Sequence, residues 1–162
     1  AAVGGVEYNT TDMSEQTLRG VFLPPFKAAV DAGCLAIMTA FNDVNGVPAS
    51  ANRELLTEIL RDDWNFQGFV LSDYTSEQEL VAHGFAEDGR DAARLAFLAG
   101  VDMSMQSGFY AAHLPGLVRS GQVPMAVAAA YAQKANPGAI RLNSRARTSS
   151  LPVSRTLRPL PV

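Results

Sequence analysis

The sequence predicts an α/β fold in which short parallel strands alternate with helices. Three apolar runs, at 35–39 (LAIMT), 69–72 (FVLS) and 101–105 (VDMSM), each follow a glycine, at Gly33, Gly68 and Gly100. Glycine is the residue favoured where a helix ends or the chain turns. The runs start 34 and 32 residues apart, at 35, 69 and 101. Helical periodicity fills the intervals, which is the βαβ rhythm of a parallel sheet with right-handed crossovers.

The first helical region is predicted from near Asp12, where Asp12 and Glu15 have capping-box spacing. It carries Leu18, Val21, Phe22, Phe26, Ala29 and Val30 on one face, and Pro24-Pro25 must break or restart it. The run LAIMT follows as a buried strand, with Cys34 as a small buried filler beside it. Asp43 in NDVNG suits a turn. A second helix is expected over 52–62 with Leu55, Leu56, Ile59 and Leu60 inward, then the strand FVLS. A third helix, 88–99, turns Ala92, Leu95, Ala96 and Leu98 inward, and leads to VDMSM, where Asp102 alternates with Val101 and Met103. A fourth helix spans 109–119 and ends at Gly121. From residue 126 the pattern changes. AVAAAYAQKA is only weakly amphipathic, and the remaining 136–162 has four prolines, five arginines and no acid. This tail is expected not to pack in the same core.

A chain of 162 residues, 48% hydrophobic, is long enough for one domain with a real core, which excludes disorder throughout. One cysteine excludes an internal disulfide. The start, AAVGGVEYNTTD, has no basic stretch leading into an apolar one, and no run of about 18 apolar residues occurs, so a soluble chain without a visible export signal or membrane partner is expected. The net charge of −3 is unevenly distributed: all 16 acids lie at or before Asp102, with six cations, and seven cations lie beyond it. A basic tail can bind nucleic acid, but these arginines have no interleaved aromatics and form no stripe on a periodic helix, so no nucleic-acid partner is expected. Eight units of this length would make about 260 residues, close to the roughly 250 of a (β/α)₈ barrel. Three strands and four helices fit either a small open α/β sheet or the last three-eighths of such a barrel.

In parallel α/β folds, functional groups gather where strands end at their carboxyl edge. That places Phe41-Asn42-Asp43, Asp73-Tyr74 and Met103-Ser104-Met105 as candidates. Asp73 directly terminates an apolar run. Its alternative role is to cap the following turn or helix, and a small binding domain with SDY as a loop cap is the corresponding alternative for the whole chain. His83 and His113 are isolated and suit surface or packing roles, not a metal site.

The run VNGVPASANRELLTEILRDDWNFQGFVLSDY, the HG within 81–85, and AGVDMSM together resemble the catalytic barrel of the glycoside hydrolase family 3 β-glucosidases. The likeness is nearest to the bacterial periplasmic branch, which is also similar at YNTTDMSEQTLR and YAAHLPGLVRSGQVPMA. It covers roughly residues 8–126. The resemblance implies a barrel fragment, with 1–125 as the C-terminal part of the catalytic barrel and 126–162 outside it. The activity implied is retaining hydrolysis of terminal, non-reducing β-D-glucosyl units of cellobiose-like glucosides, with Asp73 as nucleophile and a covalent glycosyl-enzyme. No metal or organic cofactor is required, the partner is a small carbohydrate, and a periplasmic or secreted location is implied. Substrate-binding roles fall on Tyr74, where much of the family has Trp, on Phe41, where many relatives have Tyr, and on Ser104 and Met105 at the pocket floor.

The family's acid/base is a Glu in a following domain, and a sugar-binding Lys-His pair precedes the part of the barrel matched by this chain. Both are expected outside the sequence. A truncated, inactive fragment and a β-xylosidase or N-acetylglucosaminidase of the same family are the alternatives. The tail beyond Met125 departs from the family's acidic helix and is expected to be an out-of-frame or vector-derived extension.

Overall fold

Two prolines shape the first helical region. In a computed structural model, which describes residues 2–6 and 8–135, helix α1 (Glu15–Thr17) passes through a widened π turn (Leu18–Phe22) into α2 (Leu23–Asp31), with Pro24 and Pro25 in the first turn of α2. The N–H of Leu23 reaches back five residues to Leu18 O, so the turn before the prolines is loosened and the helix restarts with residues that have no N–H to donate. The N-cap is Ser14, whose Oγ accepts from Thr17 N at 3.1 Å, and not the expected Asp12. The helix begins at Glu15, so Ser14 and not Asp12 stands at the position whose side chain meets the open N–H groups of the first turn. The expected inward face is only partly buried: Leu18 is covered, while Val21 and Phe26 are exposed.

Strand β1 (Ala36–Met38) pairs in parallel with a later strand, with Ala36 opposite Phe69, Ile37 opposite Val70 and Met38 opposite Leu71. The expectation that this run is buried is corrected. Leu35 is 80% exposed, Ala36 and Met38 lie open, and Cys34 is half-buried with its thiol donating to Ala36 O at 3.0 Å. Leu35 O accepts from Phe69 N and Thr39 N donates to Leu71 O. Backbone groups alternate in direction along a strand, so those of Ala36 and Met38 point to the other edge, where no described strand pairs with them.

After β1 the chain makes a hairpin of β2 (Asp43–Val44) and β3 (Val47–Pro48). Its two turn residues, Asn45 and Gly46, both have positive φ, the requirement of a type I′ turn. Asp43 acts in this turn, with Oδ2 accepting from Gly46 N and from Thr10 Oγ1. A short 3₁₀ turn (Ala49–Ala51) leads to the π-wound helix Glu54–Asp63, which buries Leu56, Ile59 and Leu60. Strand β4 (Phe69–Leu71) follows at once. Gly68 at its start admits no side chain, since a Cβ there would lie 2.5 Å from Leu35 O and 2.4 Å from the Phe66 ring.

Between β4 and the third apolar run the sequence predicts one helix, and the structure has two. The unpredicted one, α3 (Ser76–Ala82), precedes α4 (Gly89–Ala99), which is capped by Asp88 Oδ1 accepting from Asp91 N. The third run touches β4 through a single parallel bridge, Leu71 to Met103, reinforced by Asp102 N to Val70 O at 2.8 Å and Ser72 N to Met103 O at 2.9 Å. It is thus the third rung, after β1 and β4, but too short to be a regular strand.

Helix α5 (Phe109–Arg119) packs on α4, and α6 (Met125–Ala135) closes the described chain. One core cluster joins Leu56, Leu60, Val70, Leu80, Ala96 and Val101, and a second joins Ala93, Phe97, Leu117 and Val123. Val127, Ala128 and Tyr131 of α6 pack on the second, with the Tyr131 ring 4.4 Å from that of Phe97. The expectation that nothing beyond Met125 joins the core is therefore corrected for that stretch. The Arg- and Pro-rich segment 136–162 lies outside the described residues. No helix among the described residues is long and apolar enough to cross a membrane.

Candidate active site

The carboxyl ends of β1, β4 and the third run gather the predicted residues on one rim. β4 ends at Leu71; Ser72 is fully buried, and Asp73, half-buried, begins the turn into α3. Asp73 Oδ1 accepts from Tyr74 N at 2.6 Å, and its backbone O accepts from Ser76 N at 3.2 Å. The carboxylate makes a turn contact but does not cap α3, whose N-cap position, Thr75, offers no side-chain cap.

That turn is held against its will. Thr75 has φ 58, a left-handed conformation that β-branched residues avoid. Across from it Gln106 has φ 69. The two strained loops are clasped together: Thr75 N donates to Met105 O at 2.9 Å, and Met105 N donates to Ser72 Oγ at 2.8 Å, which in turn donates to Asp73 O at 2.9 Å. On the other flank a buried chain of hydroxyls links Thr39 at the end of β1 to Ser50 and Ser50 to Ser76, each contact 2.7 Å. Rigid, doubly anchored geometry around a half-exposed carboxylate is what a group needs when it must meet a substrate atom in one position.

Ser104 and Met105 are brought to Asp73, but through this framework. Met105 acts by its backbone, and Ser104 Oγ lies 2.5 Å from Ser107 Oγ. Tyr74 projects its ring outward, 57% exposed. Phe41 stacks on Tyr8, ring centroids 4.6 Å apart, and lines a small crevice with Pro48, Ser76, Glu79 and His83. His83 Nε2 lies 3.8 Å from Glu79 Oε2, and the His113 ring meets Phe109 edge-on. Among the described residues no group of three or more His, Cys, Asp or Glu side chains is placed to hold a metal ion. An open apolar cavity of about 430 Å³ lies elsewhere, between α2, β1 and the π-wound helix, and is lined by residues such as Leu18, Phe22, Phe26, Met38, Ile59 and Trp64.

Two acids in α3 escaped the sequence reading. Glu79 is pushed upward from the ordinary carboxylate range, first by burial and further by the charge of Asp73, with His83 opposing. Glu77 is fully buried and also pushed upward by burial; its own backbone N–H and the Ser72, Ser104 and Ser107 hydroxyls oppose the shift. The signal was present in SEQEL, where residues 76, 77 and 80 share a helical face, but that face is too polar to register as an apolar stripe.

The family described as glycosyl hydrolase family 3 N-terminal domain matches residues 1–135. Among curated proteins, the periplasmic β-glucosidase of Salmonella typhimurium is 51% identical over 126 residues, which is 78% of this chain and 16% of that protein. A β-xylosidase of Formosa agariphila is 45% identical over 106 residues, 64% of this chain and 15% of that one. Among solved structures, the β-glucosidase of Listeria innocua in complex with glucose superposes with a TM-score of 0.79 at 37% identity, covering 81% of this chain and 18% of that one. The β-glucosidase of Erythrobacter marinus gives 0.78 at 34% identity, covering 82% and 18%. The chain thus spans about a sixth of the length of the curated relatives it matches.

Proposed function

This chain belongs to the glycosyl hydrolase family 3 N-terminal domain family, and from that premise we propose that it forms the last three βα units of a (β/α)₈ barrel and supplies the nucleophile, Asp73, of a retaining β-glucosidase. The observation that carries the proposal is Asp73 itself: a half-exposed carboxylate at the carboxyl end of β4, held in a strained and clasped turn. The barrel reading is supported by three parallel segments in chain order, with no strand among the described residues paired to the outer side of β1, and by a curated relative of which the match covers 16%.

In this reading one Asp73 oxygen attacks the anomeric carbon as the bond to the leaving oxygen breaks. A second carboxyl group about 5–5.5 Å away, from a part of the polypeptide outside this chain, protonates that oxygen. The same group then takes a proton from water, whose oxygen displaces Asp73 and releases the sugar with its configuration retained. The Tyr74 ring offers a platform for the apolar face of the sugar, and Phe41 forms wall. Ser104 and Met105 hold the floor. No organic cofactor or metal takes part in these steps. A β-xylosidase is the second reading, favoured by the Formosa agariphila relatives.

The test is made on the full-length polypeptide that contains this chain. A 2-fluoro β-glucoside is expected to trap a covalent adduct, and mass spectrometry to locate it on Asp73. Asp73→Ala should lower kcat by about 10⁴–10⁶-fold, the scale on which removal of a covalent catalyst is felt. Labelling at another carboxylate would refute the assignment, and faster trapping by a 2-fluoro xyloside would favour the second reading.

A further inference from the structure

Beneath the Asp73 turn lies a buried acid that the proposed chemistry leaves unused. Glu77 sits in the first turn of α3, fully buried, and neither of its carboxyl oxygens has a hydrogen-bond partner. Among the described residues no Lys, Arg or His forms an ion pair with it. The hydroxyls of Ser72, Ser104 and Ser107 face it, yet none closes a hydrogen bond of ordinary geometry onto it. These hydroxyls belong to the clasp already described, through Ser72 Oγ to Met105 N and Asp73 O and through the Ser104–Ser107 contact.

An isolated carboxylate in such a place costs several kcal/mol, and a buried acid ordinarily takes up a proton instead. Protonation also changes what the group can do. An ionised carboxylate only accepts, whereas a carboxylic acid has one O–H to donate, and the serine oxygens retain lone pairs able to receive it. Tyr110, the other titratable side chain that senses Glu77, has its hydroxyl committed to Val101 O at 2.9 Å.

We propose that Glu77 is a positioning residue for Asp73, its buried carboxyl group closing the Ser72, Ser104 and Ser107 cluster that clasps the nucleophile turn to the Met105 loop. The role rests on the reading of Asp73 as nucleophile. Glu77 touches no substrate. In this proposal its single O–H donates to one of those serine oxygens on protonation, and the clasp it steadies joins two left-handed turns, at Thr75 and Gln106. Without that donor the strained turns relax and Asp73 moves, and a displacement of about 1 Å is enough to cost about 10²-fold in rate.

The experiment compares Glu77→Gln and Glu77→Leu in the full-length polypeptide for thermal midpoint, kcat and KM on an aryl β-glucoside, with Asp73→Ala alongside. Gln keeps a neutral donor, and Leu removes it at similar volume. Glu77→Gln should keep most of the parent kcat, and folded Glu77→Leu should lose about 10²-fold in kcat with KM unchanged. Full kcat in Glu77→Leu overturns the proposal, as does a loss in Glu77→Gln equal to that in Glu77→Leu. Should Glu77→Leu fail to fold, infrared spectroscopy decides: a protonated carboxyl band at neutral pH, present in the parent and missing from Glu77→Gln, is expected, and its absence from the parent overturns the proposal. Activity that survives Asp73→Ala would refute the nucleophile reading, and with it the positioning role, while the infrared band still reports whether the buried acid is protonated.

Discussion

At the scale of single residues, Glu77 ties the stability of the fold to pH. In the unfolded chain it titrates as an ordinary carboxyl group; in the folded chain burial raises it. The native state therefore holds its proton to higher pH than the unfolded state does. Below the unfolded value both states are protonated and the group's contribution is fully present; as pH rises from there through the raised folded value, the unfolded state ionises first and the native state must later give up the proton and bury a charge, so stability falls. Glu79 is raised as well and adds a slope of the same sign, with Asp73 and His83 facing it. The contribution of Glu77 is thus the difference between parent and Glu77→Gln. Urea midpoints measured across this window should decline more steeply for the parent than for the variant, and parallel declines would show that Glu77 titrates alike in both states. The place of Asp73 after β4 was legible in the sequence because the residue ends an apolar run. Glu77 was not, because the inward face of α3 is Ser76, Glu77 and Leu80, with no apolar period to mark it.

At the scale of elements, the π-wound helix, β4 and the third rung are joined by one buried ion pair. Arg61 Nη2 lies 2.6 Å from Asp102 Oδ2, the two side chains being 10% and 1% exposed. The same carboxylate oxygen accepts from Val70 N at 2.7 Å, and Arg61 reaches the backbone oxygens of Gly68 and Gly100 at 3.3 Å. These contacts lie where the strands begin, the end of a parallel sheet that serves stability, opposite the Asp73 rim. Removing one partner leaves the other as an uncompensated buried charge, so Arg61→Met should destabilise by about 3–5 kcal/mol in chemical denaturation while leaving the rim chemistry in place. A loss below about 1 kcal/mol would mean that water reaches the pair. Helices α4 and α5 lie where the sequence placed them, over 88–99 and 109–119, and Asp88 at the start of the first is its N-cap. The strands were less legible: β1 carries an apolar sequence yet is open on one edge, and the third run contributes one bridge, with the Val70 N–H taken by the Asp102 side chain in place of a backbone partner.

At the scale of the whole molecule, part of the apolar surface that the described residues leave uncovered lies on α2 and β1. Leu35, Met38, Val21 and Phe26 are exposed, Met38 and Phe26 line the cavity of about 430 Å³, and the outward backbone groups of Ala36 and Met38 meet no strand among the described residues. An open parallel edge with an apolar face is a template for pairing with another chain, and parallel sheets are ordinarily covered on both sides. If further barrel units supply that cover, the chain alone and the full-length polypeptide will differ in measurable ways. Alone, the chain should bind an apolar dye, associate as its concentration rises, exchange the Ala36 and Met38 amide hydrogens rapidly, and show no β-glucosidase activity, since Asp73 would lack the acid that protonates the leaving oxygen. In the full-length polypeptide the same two amides should be protected and dye binding lost. A chain that is monomeric, dye-silent and cooperative in its unfolding would carry its own cover, and the barrel reading would then give way to that of a small, self-sufficient α/β domain.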